Sequence, residues 1–297
     1  MKGIYNVMAD KRIKGHLAAL FCAFVWGTTF ISTKVLLREF SAVDILFYRF
    51  LLGYLMLWIV CPKRFRPEKL SHELYFLAAG ASGVTVYYLL ENMALTYSLT
   101  SNVSIIVSIA PFLTAVMAHL VLKDEKMKKS FVWGFVVAIL GVALVTFNGR
   151  AVLKLNPIGD TLAVGAAVVW AVYAIVIRKM GAHQYPVIFT TRRIFFYGLL
   201  LMIPLLKPMG FAWNPAAVTV PVYLFNFLFL GICACALCFA VWTYAVDSLG
   251  AVVSSNYIYA VPVITVVTSA IVLKEPITPM GMAGMALTIA GLAISAR

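Results

Sequence analysis

Apolar residues gather into ten long blocks separated by short polar connections, and this alternation is the strongest signal along the chain. A helix needs about 20 apolar residues to cross the hydrocarbon core of a bilayer. The blocks run roughly from His16 to Leu37, Ile45 to Cys61, Leu74 to Tyr97, Ser101 to Leu122, Phe131 to Phe147, Ile158 to Ile177, Val187 to Leu206, Tyr223 to Val246, Val252 to Leu273 and Met280 to Ser295. The pattern predicts an all-α integral membrane protein with ten transmembrane helices. Composition agrees: 63% of residues are hydrophobic and 12% charged, which excludes an ordinary soluble domain.

The blocks repeat. The stretch from Glu91 to Glu125 returns from Trp242 to Glu275: adding 151 to Ala94, Ser104, Pro111, Leu122 and Lys123 gives Ala245, Ser255, Pro262, Leu273 and Lys274. Adding 144 to Trp26, Lys34, Val43 and Arg49 gives Trp170, Arg178, Val187 and Arg193, and adding 150 to Gly134, Ile139 and Gly141 gives Gly284, Ile289 and Gly291. Blocks one to five are therefore echoed by blocks six to ten. Five is odd, so the second copy crosses in the opposite sense, as an inverted repeat. The boundary falls near Gly149 to Asn156, which divides the chain into residues 1–149 and 150–297.

A net charge of +13 suggests nucleic acid in a soluble protein, but here the loops explain it. With a cytoplasmic N-terminus, fifteen of the 24 Lys and Arg fall on the inner side, six on the outer side, and Arg49, Arg192 and Arg193 lie in or near spans. Both termini are expected to face the cytoplasm, with no nucleic-acid partner. The first block is longer than a signal peptide's apolar region and lacks a clear cleavage site, so it reads as a retained anchor. Cys22, Cys61, Cys233, Cys235 and Cys238 all lie in or beside apolar blocks, which is no extracellular disulfide framework.

Eight segments in order carry a resemblance to a known family. They are the aromatic-rich first span of each copy (FVWGTTF, VVWAVYA), the apolar-Arg second (FYRFLLGYLML, TRRIFFYGLLL), the proline-broken fourth with its acidic end (APFLTAVMAHLVLKDE, VPVITVVTSAIVLKE) and the Gly-rich fifth (WGFVVAILGVAL, GMAGMALTIAGLAI). The chain resembles the EamA-type family of the drug/metabolite transporter superfamily over almost its whole length. The resemblance implies ten spans in two five-span repeats around a central cavity, and export of amino acids, other small metabolites or drugs across the cytoplasmic membrane.

The residues themselves point to a site. Pro111 and Pro262 interrupt matching helices and release carbonyls that need protein or trapped water as partners. Paired broken helices mark the interface between repeats, although bending for packing is an equal alternative. Helical spacing groups Ser104, Ser108 and Pro111 on one face, and Ser255, Tyr259 and Pro262 on another. Trp26 and Thr29 share a face of the first span, and Trp170 and Tyr173 a face of the sixth. For the hydroxyls the competing role is interhelical packing, and for the tryptophans packing or interfacial anchoring.

Glu91 is the sharpest single feature, with Tyr87 and Tyr88 one turn before it. A carboxylate at depth costs on the order of 3 kcal/mol to insert, which suggests proton coupling or pairing with a substrate amine. Pairing with Asn92 or an arginine, or an outer-leaflet position, stand against that. Its repeat mate is Trp242. Arg49 and Arg193 read first as anchors or helix-end partners, and the cysteines as packing residues and no metal site.

Three function classes compete. A secondary transporter explains the inverted repeat, the broken helices and the buried carboxylate together. A membrane-embedded enzyme lacks a nucleophile set or paired carboxylates, and a receptor lacks a soluble domain. The expected mechanism is alternating access by a monomer in the lipid bilayer, with no cofactor and no metal. The expected small-molecule substrate is an amino acid or related amine, held by Trp26, Thr29, Tyr88, Glu91, Ser104, Ser108, Trp170, Tyr173, Trp242, Ser255 and Tyr259. Phosphorylated metabolites or nucleotide sugars are the alternative, which Arg192 and Arg193 would favour if they turned inward.

Overall fold

In lipid a backbone N–H or C=O finds no water, so each apolar block satisfies its own main chain as a helix. The computed structural model describes residues 2–64, 66–97, 103, 106–122, 124–125, 127–147, 156–181, 183–272 and 278–295, and among them every regular element is helical. In chain order these are α1 (Lys2–Leu36), α2 (Ala42–Val60), α3 (Leu70–Gly80), α4 (Tyr87–Tyr97), α5 (Ala110–Val121), α6 (Lys129–Phe147) and α7 (Pro157–Gly181). There follow α8 (Val187–Leu206), α9 (Pro215–Val218), α10 (Pro221–Leu228), α11 (Cys238–Leu249), α12 (Ala251–Ser255), α13 (Ala260–Val272) and α14 (Pro279–Ser295). Wider π-type turns, Ala81–Val86 and Phe229–Leu237, join α3 to α4 and α10 to α11, and a 3₁₀ turn, Asn256–Tyr259, joins α12 to α13.

Seven stretches are long and apolar enough to cross a membrane: Asp10–Thr33, Ala42–Val60, Leu70–Ala94, Pro157–Gly181, Val187–Leu206, Pro221–Leu249 and Ala251–Val272. Three shorter apolar helices, Ala110–Val121, Lys129–Leu144 and Pro279–Ser295, stand where the sequence predicts the fourth, fifth and tenth spans. The chain is a multi-pass membrane protein. Ser101 and Ser104 of the fourth block, and Leu273, Lys274 and Glu275 of the ninth, lie outside the described residues, as does most of the boundary between the copies.

Polar contacts sort the connections into two ends of the bundle. At one end Lys11 pairs with Asp247 at 2.9 Å, and Arg178 reaches Glu125 at 2.7 Å and Asp124 at 2.6 Å. There too Arg192 donates to the Cys61 and Lys63 carbonyls, and Arg193 pairs with Glu73. At the other end Ser41 and Asp44 cap α2 reciprocally, and Asp44 also accepts from the Ala212 amide at 2.8 Å. The Tyr48 hydroxyl accepts there from the Asn214 amide at 3.0 Å. Each helix that joins these groups therefore runs from one end to the other.

Helices from the two halves pack on each other through glycine. A Cβ on Gly141 would lie 2.7 Å from the Gly284 carbonyl oxygen, and one on Gly291 2.7 Å from that of Gly134. Those two contacts exchange when 150 is added to the first-half residue of each pair. Without a hydrophobic drive inside lipid, close backbone approach of this kind is what holds α6 against α14. α2 meets the Phe229–Leu237 turn in the same way, a Cβ on Gly53 falling 2.8 Å from the Gly231 carbonyl oxygen.

Candidate functional site

Where the two halves meet, α1, α7 and α11 each contribute a tryptophan. The Trp26 and Trp242 ring centroids are 5.1 Å apart, Trp26 and Trp170 5.8 Å, and Trp170 and Trp242 6.3 Å. Tyr173, one turn after Trp170 on α7, packs on it at 5.3 Å, and Tyr87 of α4 packs on its other side at 5.1 Å. Trp242 and Tyr173 are wholly buried and Trp170 nearly so. These rings come together because Trp26 and Trp170 occupy the same position of the two copies.

The π-type turns support this group, and sequence periodicity alone does not reveal them. Gly83 in the first turn and Ala234 in the second are related by 151 residues. The Tyr173 ring lies on Gly83, where an added Cβ would approach it to 2.4 Å, and the Trp26 indole N–H donates to the Ala234 carbonyl at 3.1 Å. A π turn leaves carbonyls off the regular ladder, so one is available to a side chain. Each half thus receives an aromatic from the first helix of the other.

Charge enters from α2 and α4. The Tyr87 hydroxyl donates to Glu91 Oε1 at 3.0 Å, and Tyr87 packs on Tyr88 at 5.0 Å. The Arg49 guanidinium lies over the Tyr88 ring at 5.1 Å, and its Nε donates to Cys235 Sγ at 3.1 Å. Arg49 stands near enough to act on the charge of Glu91, yet among the described residues no ion pair joins them. Arg49 is only 8% exposed, so its expected role as a surface-reaching anchor is corrected: it sits seven residues into α2, about 10 Å along the axis, with its partners on α4 and the turn before α11.

The structure joins Tyr88, Glu91, Trp26, Trp170, Tyr173 and Trp242 in one group. Thr29 Oγ1 donates back to the Trp26 carbonyl at 2.7 Å, the local pattern of a packing threonine. Ser108 is buried in the turn before α5, Pro111 stands at the start of α5, and Pro262 lies in the first turn of α13. Each proline therefore follows a break rather than bending a continuous helix. Ser255 and Tyr259 are wholly buried around the Asn256–Tyr259 turn, and no ring contact among the described residues ties Tyr259 to the tryptophans. Ser104 lies outside the described residues.

Several buried polar atoms have no partner among the described residues: the indole N–H groups of Trp170 and Trp242, Ser255 Oγ and the Tyr259 hydroxyl. The Tyr173 hydroxyl lies beside that of Thr243 without hydrogen-bond geometry. An unpaired buried donor costs roughly 1–3 kcal/mol. Donors, aromatic faces, a carboxylate and a guanidinium in one apolar setting suit a small amphiphile carrying polar groups. Among the described residues no cluster of His, Cys, Asp and Glu fits a metal ion. Arg192 and Arg193 turn to the end of α2 and the start of α3, away from Trp26, Trp170 and Trp242.

The profile of the EamA-like transporter family matches residues 13–147 and again 157–297. A transporter of Archaeoglobus fulgidus, otherwise uncharacterised, is 28% identical over 94% of this chain and 96% of its own length. A probable terminal-alkyne amino-acid exporter of Streptantibioticus cattleyicolor is 27% identical over 97% of this chain and 95% of its own. A crystal structure at 17% identity superposes with a TM-score of 0.78 over 95% of this chain and 96% of that one, which speaks to the fold.

Proposed function

We propose, from the premise that this chain belongs to the EamA-like transporter family, that it exports amino acids or related amines across the cytoplasmic membrane. The observation that carries the substrate class is the separation of Arg49 and Glu91. A guanidinium and a carboxylate stand in one aromatic group, near enough to act on each other, yet among the described residues no ion pair joins them. A zwitterion offers a carboxylate to the first and an ammonium to the second, and fixed charges in low dielectric favour such a ligand strongly. The unpaired indole donors of Trp170 and Trp242 supply further contacts, and the amino-acid exporter among the relatives is consistent with this class.

In this reading the chain works as a monomer of ten spans, as inverted repeats 1–149 and 150–297 with both termini in the cytoplasm. The halves rock about the tryptophan group, so that substrate enters from the cytoplasm and leaves outward. Glu91 carries the exchanged proton, and the breaks before Pro111 and Pro262 flex. This reading needs no catalytic step, in keeping with a family and relatives named as transporters.

The deciding experiment is uptake of a pooled panel of labelled amino acids into proteoliposomes, with and without an imposed pH gradient. Gradient-dependent accumulation by the wild type that Glu91→Gln abolishes supports the proposal. Equilibration without the gradient in both proteins removes proton coupling through Glu91 and keeps the transporter. No uptake by folded protein sinks the amino-acid reading.

A further inference from the structure

A second constellation of charge lies away from Trp26, Trp170 and Trp242, between the end of α2 and the starts of α3 and α8. A groove of about 540 Å³ is lined there by Arg64, Arg66, Arg192 and Arg193, with Glu73 the one carboxylate among its walls. Arg192 is buried, held by the Cys61 and Lys63 carbonyls just after α2, with its guanidinium 3.8 Å from the Trp58 ring centroid. Arg193 is fixed by Glu73, whose Oε2 accepts from its Nε at 3.0 Å. Two of the cations are therefore pre-positioned. Arg64 and Arg66 are exposed on the connection, and among the described residues no hydrogen bond or ion pair engages either.

The groove does not end at the polar connection. It shares Leu70 and Glu73 with a second one of about 400 Å³ that continues along α3 past Leu74 and Leu77. Leu70 to Leu77 spans about 10 Å of helix axis, directed toward the middle of the bilayer. Leu74 is 65% exposed, so this wall faces lipid. An anion-binding head with an apolar channel leading from it into the membrane matches a molecule with a phosphate at one end and an acyl chain at the other. Arginine suits the phosphate because its planar fork binds two oxygens at once.

We propose that this paired groove binds an anionic phospholipid. The phosphate meets Arg64 and Arg66 in the field of Arg192 and Arg193, and one acyl chain lies along Leu74 and Leu77. Basic pockets between spanning helices on the cytoplasmic side are the expected place for such headgroups. The assignment to the inner leaflet rests on the orientation proposed above; the site itself does not.

The test is lipid retention by the full-length protein, read by native mass spectrometry from detergent containing equal phosphatidylglycerol and phosphatidylcholine. The wild type is expected to keep phosphatidylglycerol, and the double variant Arg64→Ala/Arg66→Ala to lose about tenfold of that preference. Leu77→Trp, which fills the apolar channel, is expected to reduce retention with the arginines intact. Equal retention of both lipids by the wild type overturns the proposal without reference to any variant. Displacement of phosphatidylglycerol by millimolar inorganic phosphate, with Leu77→Trp unchanged, would assign the arginines to a free anion and equally overturn it. None of these readouts requires transport, so failure here is separate from failure of the amino-acid reading.

Discussion

The Tyr87 hydroxyl donates to Glu91 Oε1 at 3.0 Å, and the same ring packs at 5.1 Å on Trp170, so one residue couples the carboxylate of α4 to the tryptophans. Tyr87→Phe keeps the ring and removes the donor. A hydrogen bond to a charged group contributes about 1.5–3 kcal/mol. Proteoliposome flux is expected to fall roughly tenfold or more in Tyr87→Phe, and to lose its response to a pH gradient in Glu91→Gln. Unchanged flux in both variants would remove this pair from the mechanism.

The indole N–H groups of Trp170 and Trp242 are buried without partners. Replacing either tryptophan by phenylalanine deletes an unpaired donor but also some packed volume, and the two changes offset each other to within about 1–2 kcal/mol. Thermal stability is expected to move little while transport falls. Loss of stability and activity in parallel would mean that these rings serve packing alone.

Gly141 faces the Thr288 amide, which an added Cβ would approach to 2.4 Å, whereas a Cβ on Gly165 would meet only Leu90, at 3.4 Å. Gly141→Val is expected to separate α6 from α14 at a cost of about 1–3 kcal/mol, because backbone cannot move aside as a side chain does. Gly165→Ala is expected to be neutral or to stabilise by up to about 1 kcal/mol through helix propensity. Thermal unfolding in detergent compares them directly.

Glu125 accepts the Ala251 and Val252 amides at 3.0 and 2.9 Å and pairs with Arg178, closing the end of the bundle where α7 ends and α12 begins. Gly250, just before α12, has φ +89°, and an added Cβ would come within 2.6 Å of Glu125 Oε1. That left-handed backbone and that space both call for glycine. Glu125→Gln keeps an amide acceptor and loses the charge. Since the pair is partly solvated, a loss of about 1–2 kcal/mol is expected in the same unfolding assay.

His183 lies between α7 and α8, with its ring stacked on His72 at 3.9 Å. Burial, and then the neighbouring His72 ring, hold its pKa below the usual 6.5, with Lys69 acting in the same direction and Glu68 against it. As pH falls below 6.5 the unfolded chain takes this proton first, so stability declines until the folded-state pKa is passed and then levels off. Wild-type protein is expected to lose thermal stability between about pH 7 and about pH 5, and His183→Gln to lose less. Identical slopes for the two proteins would rule out this histidine as a source.

The acidic end of the fourth block, Asp124 and Glu125, lies at one end of the bundle. Their partners, Arg178 and the α12 amides, sit 53 to 127 residues away in the other copy. Arg49 makes the same point more sharply. Its place near the start of an apolar block resembles that of a surface anchor, and only the crossing of α2 over Gly231 puts Cys235 against it.

Membrane residence, block positions and the copying of one half in the other were legible from residue order, because hydropathy and repetition are local properties of the chain. The repeat matched Trp26 with Trp170, while Trp242, whose repeat mate is Glu91, joins them only through the packing of α11. The π-type turns, the placing of Arg49 beside Tyr88 and Cys235 and the unpaired indole donors were decided by tertiary structure alone. Each depends on which backbone groups approach which side chains across helices. Glycine positions and helix crossings set those distances, and spacing along a single chain carries no record of them.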